Sequence, residues 1–145
     1  ISTKVIHGPS ILTAVAETGL SLYKFGAVTS IPFNTDNIKT PVEVIKKNQE
    51  IGLHTLILLD LNPAEEKYVT IKEALNYLIK NGIKRDQLCI GCARLGNDAI
   101  IKKGKAINLM KEDFGEPPYC LIVIGNLGFL EEEASDFFNI DSKRS

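Results

Sequence analysis

His54-Thr55-Leu56-Ile57-Leu58-Leu59-Asp60 is the stretch on which the fold turns. It is apolar almost without a break and has the length of a strand rather than a helix. Continuous hydrophobicity, in place of alternation, predicts a strand covered on both faces. Two runs of the same character follow, Leu88 to Ala93 and Cys120 to Ile124. Helical patterns lie to either side. Thr40-Pro41-Val42-Glu43 combines an N-cap hydroxyl, a proline at the first helical position and a glutamate at the third. That capping box predicts a helix running to Glu50 and stopping near Gly52. Thr70-Ile71-Lys72-Glu73 repeats the box ahead of Ala74, Leu75, Leu78 and Ile79, with Asn81-Gly82 as the stop.

Upstream, Thr3 to Ile6 reads as a short strand and Gly8-Pro9-Ser10 as a tight turn, followed by Ile11, Leu12, Val15, Ala16, Gly19 and Leu20 at helical spacing. Val28 to Phe33 reads as the next strand, and Pro32 puts its end at a sheet edge or bulge. Downstream, Lys105 to Glu112 reads as a helix ended by Phe114-Gly115, and Leu127 to Phe138 as the last helix. The alternation predicts an α/β fold, a single domain with a central mixed β-sheet flanked by helices, over residues 1–140. Residues 141–145 read as a frayed tail. Glu131-Glu132-Glu133 falls in the first turn of the last helix, where negative charge suits the helix dipole, so a solvated structural role is expected there.

With 145 residues, 44% hydrophobic and 24% charged, the chain has the profile of one globular domain. Seventeen basic side chains against eighteen acidic ones leave a net charge of -1, which argues for neither nucleic acid nor anionic lipid as a partner. No apolar run approaches the roughly 20 residues that span a bilayer, and Ile1-Ser2-Thr3-Lys4 lacks the apolar stretch of a secretory signal. A cytoplasmic location is the expectation. The chain starts with Ile and enters a strand at once, so it is expected to begin inside a longer protein. Cys89, Cys92 and Cys120 are odd in number and suggest no disulfide framework, which fits a reducing compartment. Cys89-Ile90-Gly91-Cys92 matches a C-x-x-C pattern, yet His7 and His54 supply no paired second half of a zinc site, so these cysteines read as buried strand residues.

In open α/β sheets ligands collect beyond the carboxyl ends of strands. Four places qualify: Gly8-Pro9-Ser10-Ile11, Leu59-Asp60, Ala93-Arg94-Leu95-Gly96 and Pro117-Pro118-Tyr119. At Ser10 a helix start either offers N–H groups to a carboxylate, phosphate or ribose oxygen, or is merely capped by its own serine. Asp60 suits a ribose hydroxyl or the amides of the next turn equally well. Arg94 suits a ligand carboxylate or an ion pair with Asp98 or a glutamate. His54, with no acidic partner nearby in sequence, reads as structural. There is no P-loop, G-x-S-x-G elbow or complete dinucleotide fingerprint. The residues alone reach an α/β ligand-binding domain.

His7-Gly8-Pro9-Ser10-Ile11, Leu22-Tyr23-Lys24-Phe25-Gly26, Gly52-Leu53-His54-Thr55-Leu56, Ala93-Arg94-Leu95-Gly96 and Asp113-Phe114-Gly115-Glu116-Pro117-Pro118 follow one another in an order that resembles the diphthine synthase family, within the tetrapyrrole methylase-like group. The blocks span about Ile6 to Glu131. The resemblance implies the C-terminal domain of a two-domain fold, with the N-terminal domain absent from this chain. It implies S-adenosylmethionine as methyl donor in the cleft between the domains, and S-adenosylhomocysteine as product. The acceptor it implies is the amino group of a modified histidine in translation elongation factor 2, on the way to diphthamide, and the full-length enzyme would be a homodimer. Carried over position by position, the cofactor contacts are Ser10, Ile11, Leu59, Leu95 and Tyr119, with no catalytic residue and no metal ligand in this half. Leu59 and Leu95 are expected to face each other across the adenosine. Two departures stand out: Tyr119 where the family commonly has His, and Leu127-Gly128 where it has Leu-His. The short Leu61 to Val69 connection is similar to archaeal members, which implies trimethylation of the amine without a further carboxyl methylation. The alternatives are a fragment serving only as a dimerisation or protein-binding module, and a tetrapyrrole methylase of the same fold, against which Tyr23-Lys24-Phe25-Gly26 and His54-Thr55 argue.

Overall fold

The computed structural model describes residues 15–96 and 98–141. In chain order the regular elements are β1 (Thr29–Ile31), α1 (Thr40–Glu50), β2 (Thr55–Leu59), β3 (Leu61–Asn62), β4 (Lys67–Tyr68), α2 (Ile71–Lys80), β5 (Leu88–Ala93), β6 (Ile100–Lys105), α3 (Ala106–Leu109), β7 (Tyr119–Val123) and α4 (Phe129–Ser135). Five strands form one mixed sheet in the order β1-β2-β7-β5-β6, and β3 with β4 forms a small antiparallel hairpin beside it. β1 and β2 are parallel, whereas β7 runs antiparallel to both β2 and β5, and β6 antiparallel to β5. The carboxyl ends of β1, β2 and β5 therefore share one edge of the sheet with the start of β7. β1 stops before Pro32 and lies at the sheet margin, where a missing N–H is harmless.

The uninterrupted apolar runs are covered on both faces, for the reason their composition suggests. On one face Ile31, Ile57, Leu59, Cys89, Ala93, Leu121 and Val123 pack with Val42 and Ile45 of α1 and with Leu75 and Leu78 of α2. On the other, Leu56, Ile90, Cys92, Cys120, Ile122 and Ile124 pack with Val15 and Leu20. Cys89 and Cys92 thus belong to opposite faces of the sheet and cannot share one metal ion. All three cysteines are buried free thiols. Burial pushes the Cys89 thiol up to about 12; the Cys92 thiol is raised by its hydrogen bond with Cys120 and by burial.

The two capping boxes turn out differently. Thr70 accepts from the Glu73 amide at 3.1 Å while the Glu73 carboxylate accepts from the Thr70 amide at 3.0 Å, as expected of a reciprocal box. Thr40, by contrast, is already helical: Lys39 is the boundary residue, its carbonyl accepting from the Glu43 amide at 3.1 Å, and no side chain caps this end. Helix and strand limits differ elsewhere too. The region expected as a helix from Lys105 to Glu112 is helical only over Ala106–Leu109, and the expected last helix is shorter, Phe129–Ser135 followed by a 3-10 turn at Asp136–Phe138.

Strand β6 was not anticipated at all. Its sequence, Ile100-Ile101-Lys102-Lys103-Gly104-Lys105, places three lysines on a sheet margin, a common way of discouraging edge-to-edge association. Lys103 is nonetheless buried, its Nζ donating to Ser135 Oγ at 2.9 Å and lying 3.6 Å from Asp136 Oδ1. Residues 139–141 then run along β6, with the Ile140 amide donating to the Lys103 carbonyl at 2.7 Å. A Cβ on Gly104 would lie 2.7 Å from Ile140 Cγ1, so glycine permits this approach. Among the described residues no helix is long and apolar enough to cross a membrane.

Candidate functional site

The strand register assembles a row of residues at the carboxyl-end edge. Ile31 lies opposite Leu59, Leu58 opposite Cys120, and Ala93 opposite both Tyr119 and Ile100. One further step along β2 and β7 puts Leu59 beside Tyr119. Two of the residues expected at the site, about sixty positions apart, are thereby neighbours. Ser10 and Ile11 lie outside the described residues.

Side-chain direction divides the remaining candidates. Leu59 is 5% exposed and belongs to the core on the face covered by α1 and α2. Burying such a side chain contributes about 1.5–3 kcal/mol, so its first role is packing and only its main chain reaches the edge. Leu95 is partly buried and packs against the cluster on the opposite face. The two leucines therefore do not face each other as expected: the sheet lies between their side chains. Tyr119 is partly exposed, its hydroxyl donating to the Gly115 carbonyl, and burial, with Glu116 nearby, raises its phenol above the ordinary value. Asp60 is exposed and its Oδ1 accepts from the Leu61 amide at 3.2 Å, which matches the turn-supporting reading.

Arg94 pairs with neither the Asp98 carboxylate nor a glutamate. Its Nε donates to the Asp98 carbonyl at 3.3 Å and its Nη1 to the carbonyls of Phe114, at 3.3 Å, and Glu116. The guanidinium is spent on main-chain acceptors of two loops. Nothing in the sequence marked this, because the acceptors are main-chain carbonyls, those of Phe114 and Glu116 some twenty positions away.

A cleft of about 860 Å³ opens at the same end of the sheet, between the segment after β1, the β3–β4 hairpin and one side of α2. Phe33, Glu66, Tyr68, Glu73 and Tyr77 line it, and Tyr119 stands at its border with the sheet edge. Among the described residues, the non-glycine positions with positive φ are Asn37, Glu66, Arg94 and Asp98. All four occupy loops at this end. Such conformations cost on the order of 1–3 kcal/mol each and concentrate where a fold positions groups for a ligand.

At the opposite end, His54 is fully buried and has the acidic partner that its sequence neighbourhood lacks: Nε2 lies 3.1 Å from Glu131 Oε2. Its Nδ1 accepts from the Gly125 amide at 2.9 Å, which requires an unprotonated Nδ1 and assigns the proton to Nε2. Burial lowers the imidazole's pKa and outweighs the raising effect of Glu131. Glu131 is 7% exposed, so within the acidic triplet it departs from the solvated role expected of it. Its burial works toward a higher pKa, but hydrogen bonds from the amides of Gly128 and Ser21 and from His54 prevail and hold the carboxylate below its usual range. His54 is a structural clasp between β2, the segment after β7 and α4.

No protein-family model matches the chain. Diphthine synthase of Methanosphaera stadtmanae is 41% identical over 145 residues, covering 92% of this chain and 55% of that protein. Diphthine synthase of Methanocaldococcus jannaschii is 43% identical over 146 residues, covering 92% of this chain and 57% of that protein. A crystal structure of diphthine synthase superposes with a TM-score of 0.80 at 37% identity, over 89% of this chain and 51% of that chain. The chain spans about half the length of these relatives.

Proposed function

This chain shares sequence and fold with diphthine synthases over most of its length, and from that premise we propose that it is the C-terminal, cofactor-facing half of an S-adenosylmethionine-dependent methyltransferase. The acceptor in this reading is the amino group of a modified histidine in translation elongation factor 2, on the way to diphthamide. The observation that carries the proposal is the sheet edge itself: Leu59, Tyr119 and the Ala93-Arg94-Leu95 turn meet there from three strands. An adenosine moiety asks for apolar walls and main-chain groups that can read its edge. The partly exposed Tyr119, the partly exposed Leu95 and the main chain at Leu59 fit that demand; the Leu59 side chain does not, being core. When bound, the donor supplies a methyl group on sulfur whose leaving thioether is neutral and needs no acid. What remains for the protein is to hold donor and amine in line and to exclude water, an effect of proximity and orientation. That is consistent with a site made of walls and loops in place of a nucleophile and base.

Titration calorimetry of S-adenosylmethionine against the full-length enzyme and against this chain tests the reading. The expected result is binding by the former and weak or no binding by the latter, which holds one wall of the pocket. A full-length protein that neither binds the donor nor methylates elongation factor 2 would refute it. A second copy of the chain is the proposed partner in the full-length enzyme, and the exposed Tyr23, Phe129 and Leu130 are apolar surface available for association. A monomeric mass by light scattering would exclude that part.

A further inference from the structure

We infer that Arg94 is a positioning residue that couples the two loops bearing the proposed cofactor contacts, so that Leu95 and Tyr119, whose side chains pack toward opposite faces of the sheet, are held in a fixed relation at its carboxyl-end edge. The inference rests on the methyltransferase reading above. Arg94 is the first residue after β5, in the left-handed conformation at φ +54, and Gly96 two positions on has φ +87. This turn throws Leu95 to the opposite face of the sheet from Ala93. A bulky residue tolerates such a backbone only where the surroundings determine it. Here they do. The Arg94 amide donates to the Pro118 carbonyl at 2.8 Å, and the guanidinium reaches the carbonyls of Asp98, Phe114 and Glu116.

Three of these bonds join the turn after β5 to the Phe114–Pro118 segment that leads into Tyr119, and the fourth, to Asp98, closes the turn on itself. Tyr119 completes the unit by donating to the Gly115 carbonyl. Gly115 lies beside the guanidinium at φ +70, a backbone conformation that favours glycine. A planar fork with several fixed donors can satisfy carbonyls in different directions at once; a lysine ammonium on its flexible stem cannot hold the same geometry. Remove the fork, and the loops keep their strand anchors, Ala93 opposite Tyr119, and the main-chain bond from Arg94 to Pro118, but lose the side-chain bonds that fix how Leu95 and Tyr119 are aimed.

The test is made in the full-length enzyme with Arg94→Ala and Arg94→Lys. Both are expected to weaken S-adenosylmethionine binding, the alanine variant at least tenfold and the lysine variant less. The turnover number at saturating donor and the KM for elongation factor 2 should stay within twofold of wild type. Added guanidinium at low millimolar concentration is expected to recover part of the donor affinity of Arg94→Ala, whereas ammonium should not. Circular dichroism verifies that each variant is folded; if Arg94→Ala does not fold, Arg94→Lys alone carries the comparison. Donor affinity equal to wild type in a folded Arg94→Lys and Arg94→Ala would overturn the inference. So would a loss of turnover with no change in donor affinity. Failure of the wild-type enzyme to bind the donor would instead overturn the methyltransferase reading.

Discussion

Glu131→Gln isolates the clasp that joins α4 to the sheet. The Glu131 carboxylate accepts from the Ser21 amide at 2.8 Å, the Gly128 amide at 2.9 Å and His54 Nε2 at 3.1 Å, with Lys24 Nζ at 3.9 Å. Ser21 and His54 share Oε2, whereas Gly128 uses Oε1. A glutamine can keep its oxygen toward one pair of donors, but its amide nitrogen then meets the remaining donor head-on. The part-buried Gly128 amide loses its acceptor, and the Ser21 amide and His54 lose the charge that strengthened their bonds. Bonds to charged groups contribute about 1.5–3 kcal/mol and an orphaned buried donor costs about 1–3 kcal/mol, so the substitution is expected to cost about 2–4 kcal/mol. For a domain of this size that corresponds to a melting temperature lower by about 5–12 °C. Thermal unfolding of the chain followed by circular dichroism at pH 7 measures it, with the exposed neighbour Glu132→Gln as a control expected to stay within about 0.5 kcal/mol of wild type. A Glu131→Gln melting curve superimposable on that of Glu132→Gln would refute the reasoning, because it would mean that the buried carboxylate stabilises nothing.

The same clasp gives stability a pH dependence of definite sign. Folded His54 has a pKa below its ordinary 6.5, so the unfolded chain binds more protons once the pH falls under that value. Stability present above pH 6.5 erodes as the solution is acidified, and Glu131 adds a further loss below its ordinary 4.5, as the pH falls through its lowered folded value. His54→Gln should flatten the first part of this slope; parallel melting-temperature profiles for wild type and variant between pH 7.5 and pH 5 would count against it. Leu59→Asp is expected to give insoluble or unfolded protein, since it puts a carboxylate into the core. Leu95→Asp should fold and, in the full-length enzyme, weaken donor binding by a few kcal/mol through desolvation of an unpaired charge; the contrast between the two in soluble yield and calorimetry tests their assignment to opposite faces. Cys89→Ala and Cys92→Ala should lower stability by about 1 kcal/mol each without changing metal content. Stoichiometric zinc in the purified chain, lost with either cysteine, would contradict the buried-strand assignment.

What was legible in the sequence was local or compositional. The Thr70 box reads correctly because both of its hydrogen bonds close within three residues. β2, β5 and β7 are legible because a strand covered on both faces has little room for polar side chains. Where the signal was short-range but the boundary was soft, the reading slipped, as at Thr40, which lies one residue inside its helix. Tertiary structure decided the rest. β6 escapes notice because a buried Lys103 looks like a solvated one until Ser135 and Asp136, more than thirty residues on, supply its partners. His54 lacks an acid in its neighbourhood because its partner stands 77 positions away on α4. The resemblance could bring Leu59, Leu95 and Tyr119 to one edge, but not say which way they point. In a pleated sheet a single step along the strand reverses a side chain, and the left-handed turn at Arg94 sends Leu95 to the face away from Leu59. Caps and apolar runs depend on neighbours in the chain; side-chain direction depends on register and loop conformation, which exist only once the sheet has formed.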